Sequence, residues 1–400
     1  MGSVKLEALV HGLDNLSDDN DTDKSALRVA KNIDLTDKGQ VSSMPSIKLL
    51  AAGDYHSLYC DNEIMLAAEG ATLKLINQKT GEARSIYTLG SQDPVSYCRM
   101  LDGVAFSNRT TIGIYRNDEA MPIGIDTPAA PVISSNSIGG LFEGRYGVAI
   151  TAVSADGEES GLSPIAFITL ENGNGITVNL PAPADGVEYF NIYRTSHDGD
   201  ALYHAIKHPS SLSQASVGNS QIGKMADTQN LDRMPAGTII RHWRGRLLSA
   251  KNNVLWLSEP MRYGLTSRRH NFIQFSHRII MLQGTDSGVY VGTSKGVYFL
   301  AGGSAGEWDV RQTGGKAPVP FCSAEIDLSE LDPALQNIGS GRGAIWLSEN
   351  GFVVGLPSGS LLEAQRNRIQ MLQGEAGWIA VLGKRVRATT RASQWTLSNH

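Results

Sequence analysis

Three aspartates at alternate positions are the first residues whose type and spacing suggest chemistry, because an Asp-x-Asp-x-Asp run opens a calcium-binding loop. They are Asp19, Asp21 and Asp23. Such a loop needs glycine at its sixth position for the turn and glutamate at its twelfth as the bidentate ligand. Lys24 and Ala30 occupy those positions here. We therefore interpret this stretch as a mobile acidic loop without a metal ion.

Hydrolytic and nucleotide-binding motifs are missing from the chain, which has no HExxH, Walker-type or Gly-x-Ser-x-Gly sequence. The glycine-rich run at 339–343 predicts a β-turn, and residues 285–288 (TDSG) only approach the Ser-x-Asp-x-Gly-x-x-Trp turn of glycan-cleaving propellers. The histidines are scattered without metal-ligand spacing. We predict no enzyme activity, no catalytic residue, no cofactor and no metal. Carboxylate pairs of glycosidases meet in space rather than along the chain, so glycan hydrolysis stays open as an alternative.

Two basic clusters could contact nucleic acid. The first covers residues 241–246 (RHWRGR), and the second comprises Arg366, Arg368, Lys384, Arg385, Arg387 and Arg391. We favour the alternative that they form a solvated rim or an interface with acids of a neighbour. The formal net charge of −5 argues against affinity gained by neutralising phosphates, although DNA could still pass through such a protein.

The composition favours an all-β protein. Of 400 residues 43 are glycine, 41% are hydrophobic and only 19% are charged, which indicates an apolar core with many tight turns. Cys60, Cys98 and Cys322 are too few and too far apart for a disulfide scaffold or a cysteine zinc site. The sequence has no run of 18 apolar residues, so we predict no membrane span. The first seven residues lack the apolar core of a secretory signal. We expect a protein made in a cytoplasm.

Short apolar runs bounded by turn residues predict many short strands, as in a sandwich, barrel or propeller. Residues 128–234 differ: prolines and serines open the segment, strand-like alternation follows, and a serine-rich stretch closes it. We predict an all-β β-propeller with an inserted immunoglobulin- or fibronectin-like β-sandwich. The predicted parts are an N-terminal arm with the acidic loop (1–31), the first blades (32–127), the sandwich (128–234) and the remaining blades (235–400).

Two sequence matches share one offset of 90 residues. Residues 255–259 (LWLSE) recur as 345–349 (IWLSE), and 278–284 (RIIMLQG) recur as 368–374 (RIQMLQG). Ninety is twice the ~45 residues of a propeller blade, and the 262 residues outside the arm and the sandwich correspond to about six blades. The offset places Trp256 and Trp346 at equivalent positions, where we predict core packing. Hairpin-like patterns at 246–256, 288–300 and 343–354 support the blade interpretation.

The order of several motifs resembles the β-propeller tail proteins of tailed bacteriophages, especially the tail nozzle or tail hub of short-tailed phages. The matching stretches span residues 32–303: NIDL at 32–35 with Gly39 and Pro45, YGVAITAVSADGEESGLS at 146–163, NIYRT at 191–195, MPAG at 234–237, WRGRL at 243–247, LWLSEP at 255–260 and 288–302. The family often carries arginines before the first proline, where residues 41–44 here read VSSM. That departure leaves the ring position and the tail type open.

The resemblance implies a non-enzymatic virion protein made in the cytoplasm of a bacterial host. It would form a homo-oligomeric ring, sixfold in the family, that continues the DNA-ejection conduit, helps retain the genome and binds other tail proteins such as the adaptor and fibres or spikes. DNA would pass through transiently. The alternative is a receptor- or glycan-binding virion propeller, with or without glycan hydrolase activity.

Overall fold

The computed structural model describes residues 12–18, 25–29, 33–35, 40–43, 48–302, 308–330, 340–363, 365–371, 374–382 and 385–392. Over these ranges the chain is all-β, as predicted, apart from the 3-10 turn Leu328–Glu330. No helix in the described ranges is long and apolar enough to cross a membrane. The acidic residues Asp19, Asp21 and Asp23 lie outside the described residues.

Four short strands come first and form two isolated pairs. β1 (Gly12–Leu13) pairs in parallel with β2 (Ala26–Leu27), and β3 (Ile33–Leu35) pairs antiparallel with β4 (Val41–Ser43).

Six antiparallel sheets follow in the described part of the chain, and we call them body sheets 1 to 6. Sheet 1 contains β5 (Tyr55–Cys60), β6 (Met65–Glu69), β7 (Thr72–Ile76) and β8 (Ala83–Thr88); sheet 2 contains β9 (Ser96–Arg99), β10 (Val104–Ser107), β11 (Ile112–Arg116) and β12 (Glu119–Pro122). Sheet 3 contains β21 (Ile239–Trp243), β22 (Arg246–Lys251), β23 (Val254–Leu257) and β25 (Phe272–Gln274); sheet 4 contains β26 (Ile279–Gly284), β27 (Gly288–Thr293), β28 (Gly296–Ala301) and β29 (Asp309–Gln312). Sheet 5 contains β30 (Pro318–Asp327), β31 (Arg342–Ser348), β32 (Gly351–Gly355) and β33 (Leu361–Leu362); sheet 6 contains β34 (Gly374–Leu382) and β35 (Arg385–Ala392).

The burial of the strands follows their place in each sheet. Second strands such as β10 and β27 are buried along their whole length, whereas the fourth strands β8 and β29 are largely exposed. Consecutive sheets pack face to face, so that the second strands β10, β22, β27 and β31 have apolar side chains on both of their faces. The first strands β9, β21, β26, β30 and β34 lie side by side in that order. The arrangement is propeller-like.

The chain between sheets 2 and 3 forms two further sheets that share one core, and we call it the two-sheet segment. One sheet has the order β13-β16-β19, from β13 (Val132–Asn136), β16 (Gly175–Asn179) and β19 (Gln214–Val217). The other has the order β15-β14-β17-β18, from β14 (Gly144–Ser154), β15 (Ala166–Leu170), β17 (Val187–Thr195) and β18 (Leu202–Pro209). Tyr146, Ile150, Ile176, Phe190 and Val217 fill the space between them.

Sheets 2 and 3 pack directly on each other although the two-sheet segment separates them along the chain. The Ser107 hydroxyl donates to the carbonyl of Gly237 (2.8 Å), and the Ile240 N–H donates to the Ser96 hydroxyl (3.1 Å). A last short strand, β20 (Leu231–Arg233), pairs with β24 (Leu265–Ser267) within the sheet 3 part of the chain. The segment therefore leaves and returns at neighbouring points of the body.

The two matches offset by 90 residues do not lie on equivalent strands. The prediction that Trp256 and Trp346 occupy equivalent positions is therefore wrong. Trp256 lies on β23, the third strand of sheet 3, whereas Trp346 lies on β31, the second strand of sheet 5. The second match pairs β26 with a stretch that precedes β34. The three hairpin-like patterns, in contrast, do coincide with second and third strands: β22–β23, β27–β28 and β31–β32.

Candidate functional site

Two linkers join the two-sheet segment to the body, and they run beside each other. The Arg233 side chain donates to the carbonyl of Ile123 (3.2 Å) and pairs with Asp126 (3.3 Å). The Met234 N–H donates to the carbonyl of Gly264 (2.8 Å). These bonds fix residues 123–127 and 231–236 against sheets 2 and 3, and two cavities open beside them.

Glu158 of the two-sheet segment contacts the first of these linkers, and we call the place where linkers, segment and body meet the junction. Both carboxylate oxygens accept from the Gly124 N–H, each at 3.1 Å. Burial raises the pKa of the Glu158 carboxyl, and the bonds from Gly124 oppose that rise. A Cβ atom at Gly264 would collide with the Glu158 carboxylate and would lie 2.6 Å from the Cα atom of Gly124, a main-chain atom that cannot move aside easily, so this close approach favours glycine. The partly desolvated Glu158 carboxyl is thus held by the main chain of the linker.

The neighbouring Glu159 organises the loop that carries Glu158. Its Oε1 atom accepts from the Thr151 hydroxyl (2.5 Å), the Asn191 side-chain amide (3.0 Å) and the Tyr193 hydroxyl (2.8 Å). Burial and this carboxylate both raise the pKa of Tyr193, so the phenol stays a donor at neutral pH. Three donors from β14 and β17 therefore lock the loop onto the sheet from which it projects.

Ion pairs brace the same junction. Arg116 on β11 pairs with Asp102 (3.0 Å) and with Asp156 of the two-sheet segment. Arg262 pairs with Asp227 (2.8 Å). A cavity of about 410 Å³ lies among these groups, with Met100, Ile114, Met121, Met261 and Tyr263 as its apolar wall.

A larger cavity of about 770 Å³ opens beside the linkers at the other end of sheet 2. Its polar and aromatic lining comprises Tyr87, Arg109, Thr110, Thr111, Asp126, Thr127, Asp232, Arg233, Lys251 and Arg268. Arg268 pairs with Asp232 (3.0 Å), as Arg233 does with Asp126. Four cations against two carboxylates leave this cavity with an excess of positive charge.

The basic cluster at 241–246 is dispersed by the fold and forms no continuous patch. Arg241 points inward and donates to the carbonyl of its neighbour Ile240 (2.8 Å) and, over 3.3–3.5 Å, to groups on β9, β26 and β30. Arg246 is buried and donates to the carbonyl of Ser258 (2.6 Å). Burial lowers the pKa of both guanidinium groups. Only Arg244, over the ring of Trp243, is exposed in the turn between them.

The second basic cluster is also divided. Arg366 pairs with Glu363 (3.6 Å), and exposed Arg387 and Arg391 lie on β35. Lys384 and the side chain of Arg385 lie outside the described residues. Arg368 lies beside the N-terminal segment, where its carbonyl accepts from the Asn15 N–H (2.9 Å).

Other sequence candidates have structural roles. The turn at 285–288 connects β26 to β27, and the Asp286 carboxylate accepts from the Arg342 N–H (2.7 Å), which links sheet 4 to sheet 5. Gly341, within the glycine-rich run, has a φ of 95° directly before β31. Burial raises the pKa of Cys98 to about 12 and that of Cys322 to about 11, which disfavours their thiolates.

The histidines that the structure describes are not brought together into a metal site. No group of three or more His, Cys, Asp or Glu side chains that could hold a metal ion occurs within the described residues. His242 contacts the Tyr263 hydroxyl (3.3 Å), and His56 contacts the Ser57 hydroxyl (2.8 Å).

Sequence reasoning missed both cavities and the cluster of charged residues around them. Arg109, Asp126, Asp232, Lys251 and Arg268 come from five separate places in the chain. They share no local motif, because only the packing of sheet 2 on sheet 3 brings them together. The serine-rich end of the predicted sandwich was a weak indication that the chain returns to the body there.

Comparison with known proteins gives no family for this chain. No protein-family model matches it, and no curated protein matches it. Solved structures that are similar include BBS1N in complex with ARL6DN, at 13% identity and a TM-score of 0.33 over 86% of this chain and 91% of that one. The N-terminal domain of Nup159 is 10% identical, with a TM-score of 0.30 over 87% and 73%. The extracellular domain of the putative one-component system BT4673 from B. thetaiotaomicron is 10% identical, with a TM-score of 0.22 over 85% and 57%. Similarity this low carries no conclusion about function.

Proposed function

We propose that this chain is a structural protein of a bacteriophage tail, made in the cytoplasm of a bacterial host, that assembles into a ring continuing the DNA-ejection conduit. The six body sheets would be six blades of a β-propeller, and the two-sheet segment an immunoglobulin- or fibronectin-like sandwich inserted between the second and third blades. The ring would hold other tail proteins, such as the adaptor and fibres or spikes, and would retain the genome before ejection. Catalysis has no part in this proposal.

The bracing of the two-sheet segment is the observation that carries the proposal. Glu158, Arg116 and Arg262 fix the segment to the body from one side, and the linkers fix it from the other. A ring of identical subunits needs heterologous contacts, in which one surface meets a different surface of the next copy at a fixed angle. A segment held rigidly to its body can keep such an angle.

The motifs behind the phage resemblance support the same conclusion because they lie in the framework of the fold. Residues 146–163 include β14 and the Glu158–Glu159 loop, and residues 191–195 belong to β17, which helps hold that loop. Residues 243–247 and 288–302 belong to hairpins of sheets 3 and 4. Two of the motifs thus contribute to the loop that contacts the body, and two belong to the hairpins of the body itself.

The test is a reconstruction of assembled tails by electron microscopy, with this chain placed in the density. We expect a closed ring around the DNA path, with the two-sheet segment of each copy contacting its neighbour. A monomer of the purified chain is compatible with this result, because assembly can await a docking protein. Density only as isolated peripheral spikes, with no ring, would show that the proposal is wrong.

The second candidate is a receptor- or glycan-binding virion protein, with or without hydrolase activity. The observation that favours binding is the cationic cavity of about 770 Å³ beside the linkers, a volume typical of small-molecule sites. A glycan-cleavage assay on the purified chain tests the hydrolase activity.

A further inference from the structure

The larger cavity is cationic in a chain that is acidic overall. Four of its lining residues are basic and two are acidic, whereas the chain carries a formal net charge of −5. Asp126 and Asp232 are each engaged by one arginine, Arg233 and Arg268. Arg109 and Lys251 make no ion pair within the described residues, and both are exposed. A concave surface with a net excess of one sign of charge concentrates ligands of the opposite sign.

The turn that carries Arg109 is held rigidly. Asn108 is fully buried, and its side-chain oxygen accepts from the Thr110 N–H (3.0 Å) and the Thr111 N–H (2.8 Å). Its side-chain nitrogen donates to the carbonyl of Ser91 (3.1 Å). Arg109 therefore projects from a fixed backbone, so little backbone order has to be gained when it binds a ligand.

Lys251 reaches the cavity from sheet 3, at the start of the turn between β22 and β23. The next residue, Asn252, has a φ of 56°, and its carbonyl accepts from the Ile279 N–H (2.8 Å), which ties the turn to sheet 4. Arg109 and Lys251 thus approach one cavity from two different sheets, and both are placed by turns with main-chain bonds.

The remaining lining suits a ligand with hydroxyl groups and one apolar face. The carboxylates of Asp126 and Asp232 accept hydrogen bonds, and the hydroxyl groups of Thr110 and Thr127 both donate and accept. The Tyr87 ring, packed edge-on against Phe106 at 5.2 Å, contributes an apolar wall. A simple inorganic anion would leave most of these groups unused.

We propose that this cavity binds an acidic sugar, with Arg109 and Lys251 on its carboxylate or phosphate and the two aspartates and threonines on its hydroxyl groups. The inference rests on the second candidate function and is independent of the ring. Free sugar acids and acidic residues of a surface polysaccharide offer the same chemistry. Nucleic acid is disfavoured because a DNA strand offers phosphates without the free hydroxyl groups that the aspartates and threonines would bind.

The experiment is isothermal titration calorimetry on the purified full chain at low salt, with glucuronic acid, glucose 6-phosphate, glucose and inorganic phosphate. A short single-stranded DNA is a fifth probe. We expect one or both sugar acids to bind at least about tenfold more tightly than glucose or phosphate, since each of those lacks half of the recognised groups. Whichever of the two acids binds more tightly shows whether the site prefers a carboxylate or a phosphate. An acidic oligosaccharide that binds more tightly than the monosaccharide would identify a polysaccharide as the source.

The site is tested by the double variant R109Q/K251Q, with R278Q/K295Q as the matched control. The control also removes one arginine and one lysine, both exposed and outside the cavity, and Lys295 lies in the turn between β27 and β28. We expect R109Q/K251Q to weaken binding of the sugar acid by roughly tenfold or more, and the control to leave it unchanged. Equal melting temperatures would show that both variants are folded.

Three results would overturn the inference in different ways. No binding of either sugar acid by the wild-type chain would remove this site and leave the second candidate function to neutral glycans and to other surfaces of the chain. Undiminished binding by R109Q/K251Q would place the sugar elsewhere and leave that candidate standing. Inorganic phosphate or DNA binding as tightly as the sugar acids would show that the cavity recognises charge alone.

Discussion

Trp346 is the largest fully buried side chain of the body, whereas Trp256 is only partly buried. Trp346 packs between sheets 4 and 5, with the ring of Tyr290 at 5.2 Å and with Gly355 so close that a Cβ there would collide with the indole. Trp256 lies beside Phe272 near the surface of sheet 3. The sequence motif is the same, so the difference comes from the strand on which each residue lies.

We expect Trp346→Ala to lower the free energy of unfolding by ~3–5 kcal/mol and Trp256→Ala by about 1–2 kcal/mol. The reason is the cavity that only the buried indole leaves behind. Urea unfolding of both variants measures the difference. Trp346→Phe is the control: it keeps most of the ring volume and removes an indole N–H that has no hydrogen-bond partner among the described residues, so it should cost less than alanine. Equal losses for the two alanine variants would contradict the assignment of the strands.

Glu158 predicts a pH dependence of stability. Burial raises its pKa in the folded protein, so folding favours the protonated acid, and this contribution is lost as the pH rises through the folded-state pKa. Glu158→Gln keeps an acceptor for the Gly124 N–H without the charge. We expect the melting temperature of the variant, relative to wild type, to be higher at pH 7 than at pH 4.

Two measurements check the Glu158 prediction. Thermal melts at both pH values give the difference directly. Glu188→Gln, an exposed glutamate on β17, is the control and should show no such change between the two pH values. A relative melting temperature of Glu158→Gln that falls from pH 4 to pH 7 would mean that Arg116 and Arg233 outweigh burial at this site.

At the scale of elements, the sequence predicts strands and hairpins well because their signals are local. The runs at 246–256 and 288–300 read as two strands around a polar turn, and the structure has β22–β23 and β27–β28 there. The offset of 90 residues gave a wrong prediction of equivalent strands, because a short motif such as LWLSE fits any strand that is buried and ends in a turn. Which strand of a sheet carries it depends on distant packing.

The two-sheet segment gives a prediction of its own. Its main core lies between its own two sheets, while β20 belongs by pairing to the body. We expect residues 128–228, expressed alone, to fold cooperatively, because that fragment keeps all seven strands β13–β19 and omits only the strand that needs β24. Dispersed amide resonances and a sigmoidal melt are the readouts.

A fragment of residues 128–234 is the control for that experiment. Since residues 231–233 lose the pairing with β24 when the body is absent, the additional residues should give sharp resonances near random-coil shifts and leave the melting temperature unchanged. A spectrum without dispersion from both fragments would show that the segment depends on the body.

At the scale of the whole molecule, the sequence predicts an all-β propeller interrupted by an inserted segment, but not which residues meet across the insertion. Sheet 2 packs on sheet 3 across the two-sheet segment, and the acidic arm meets the region of Arg368 within one chain. Both contacts join residues far apart in sequence, and no periodicity or local motif encodes them. The cationic cavity has the same origin.

The last prediction concerns the contact between Asn15, near the start of the described chain, and Gln370, near its end. The Asn15 side chain donates to the carbonyl of Gln370 (2.9 Å) and accepts from its N–H (2.9 Å), as a strand residue would. We expect Asn15→Ala to raise the hydrogen-exchange rate of the Gln370 amide about tenfold or more, since loss of two hydrogen bonds costs ~1–3 kcal/mol. Asn77→Ala is the matched control, because the Asn77 side chain accepts from the nearby amides of Lys79 and Thr80 and from no distant group among the described residues. If the exchange of Gln370 were equal in wild type and Asn15→Ala, this side chain would not hold the N-terminal segment against the stretch before β34.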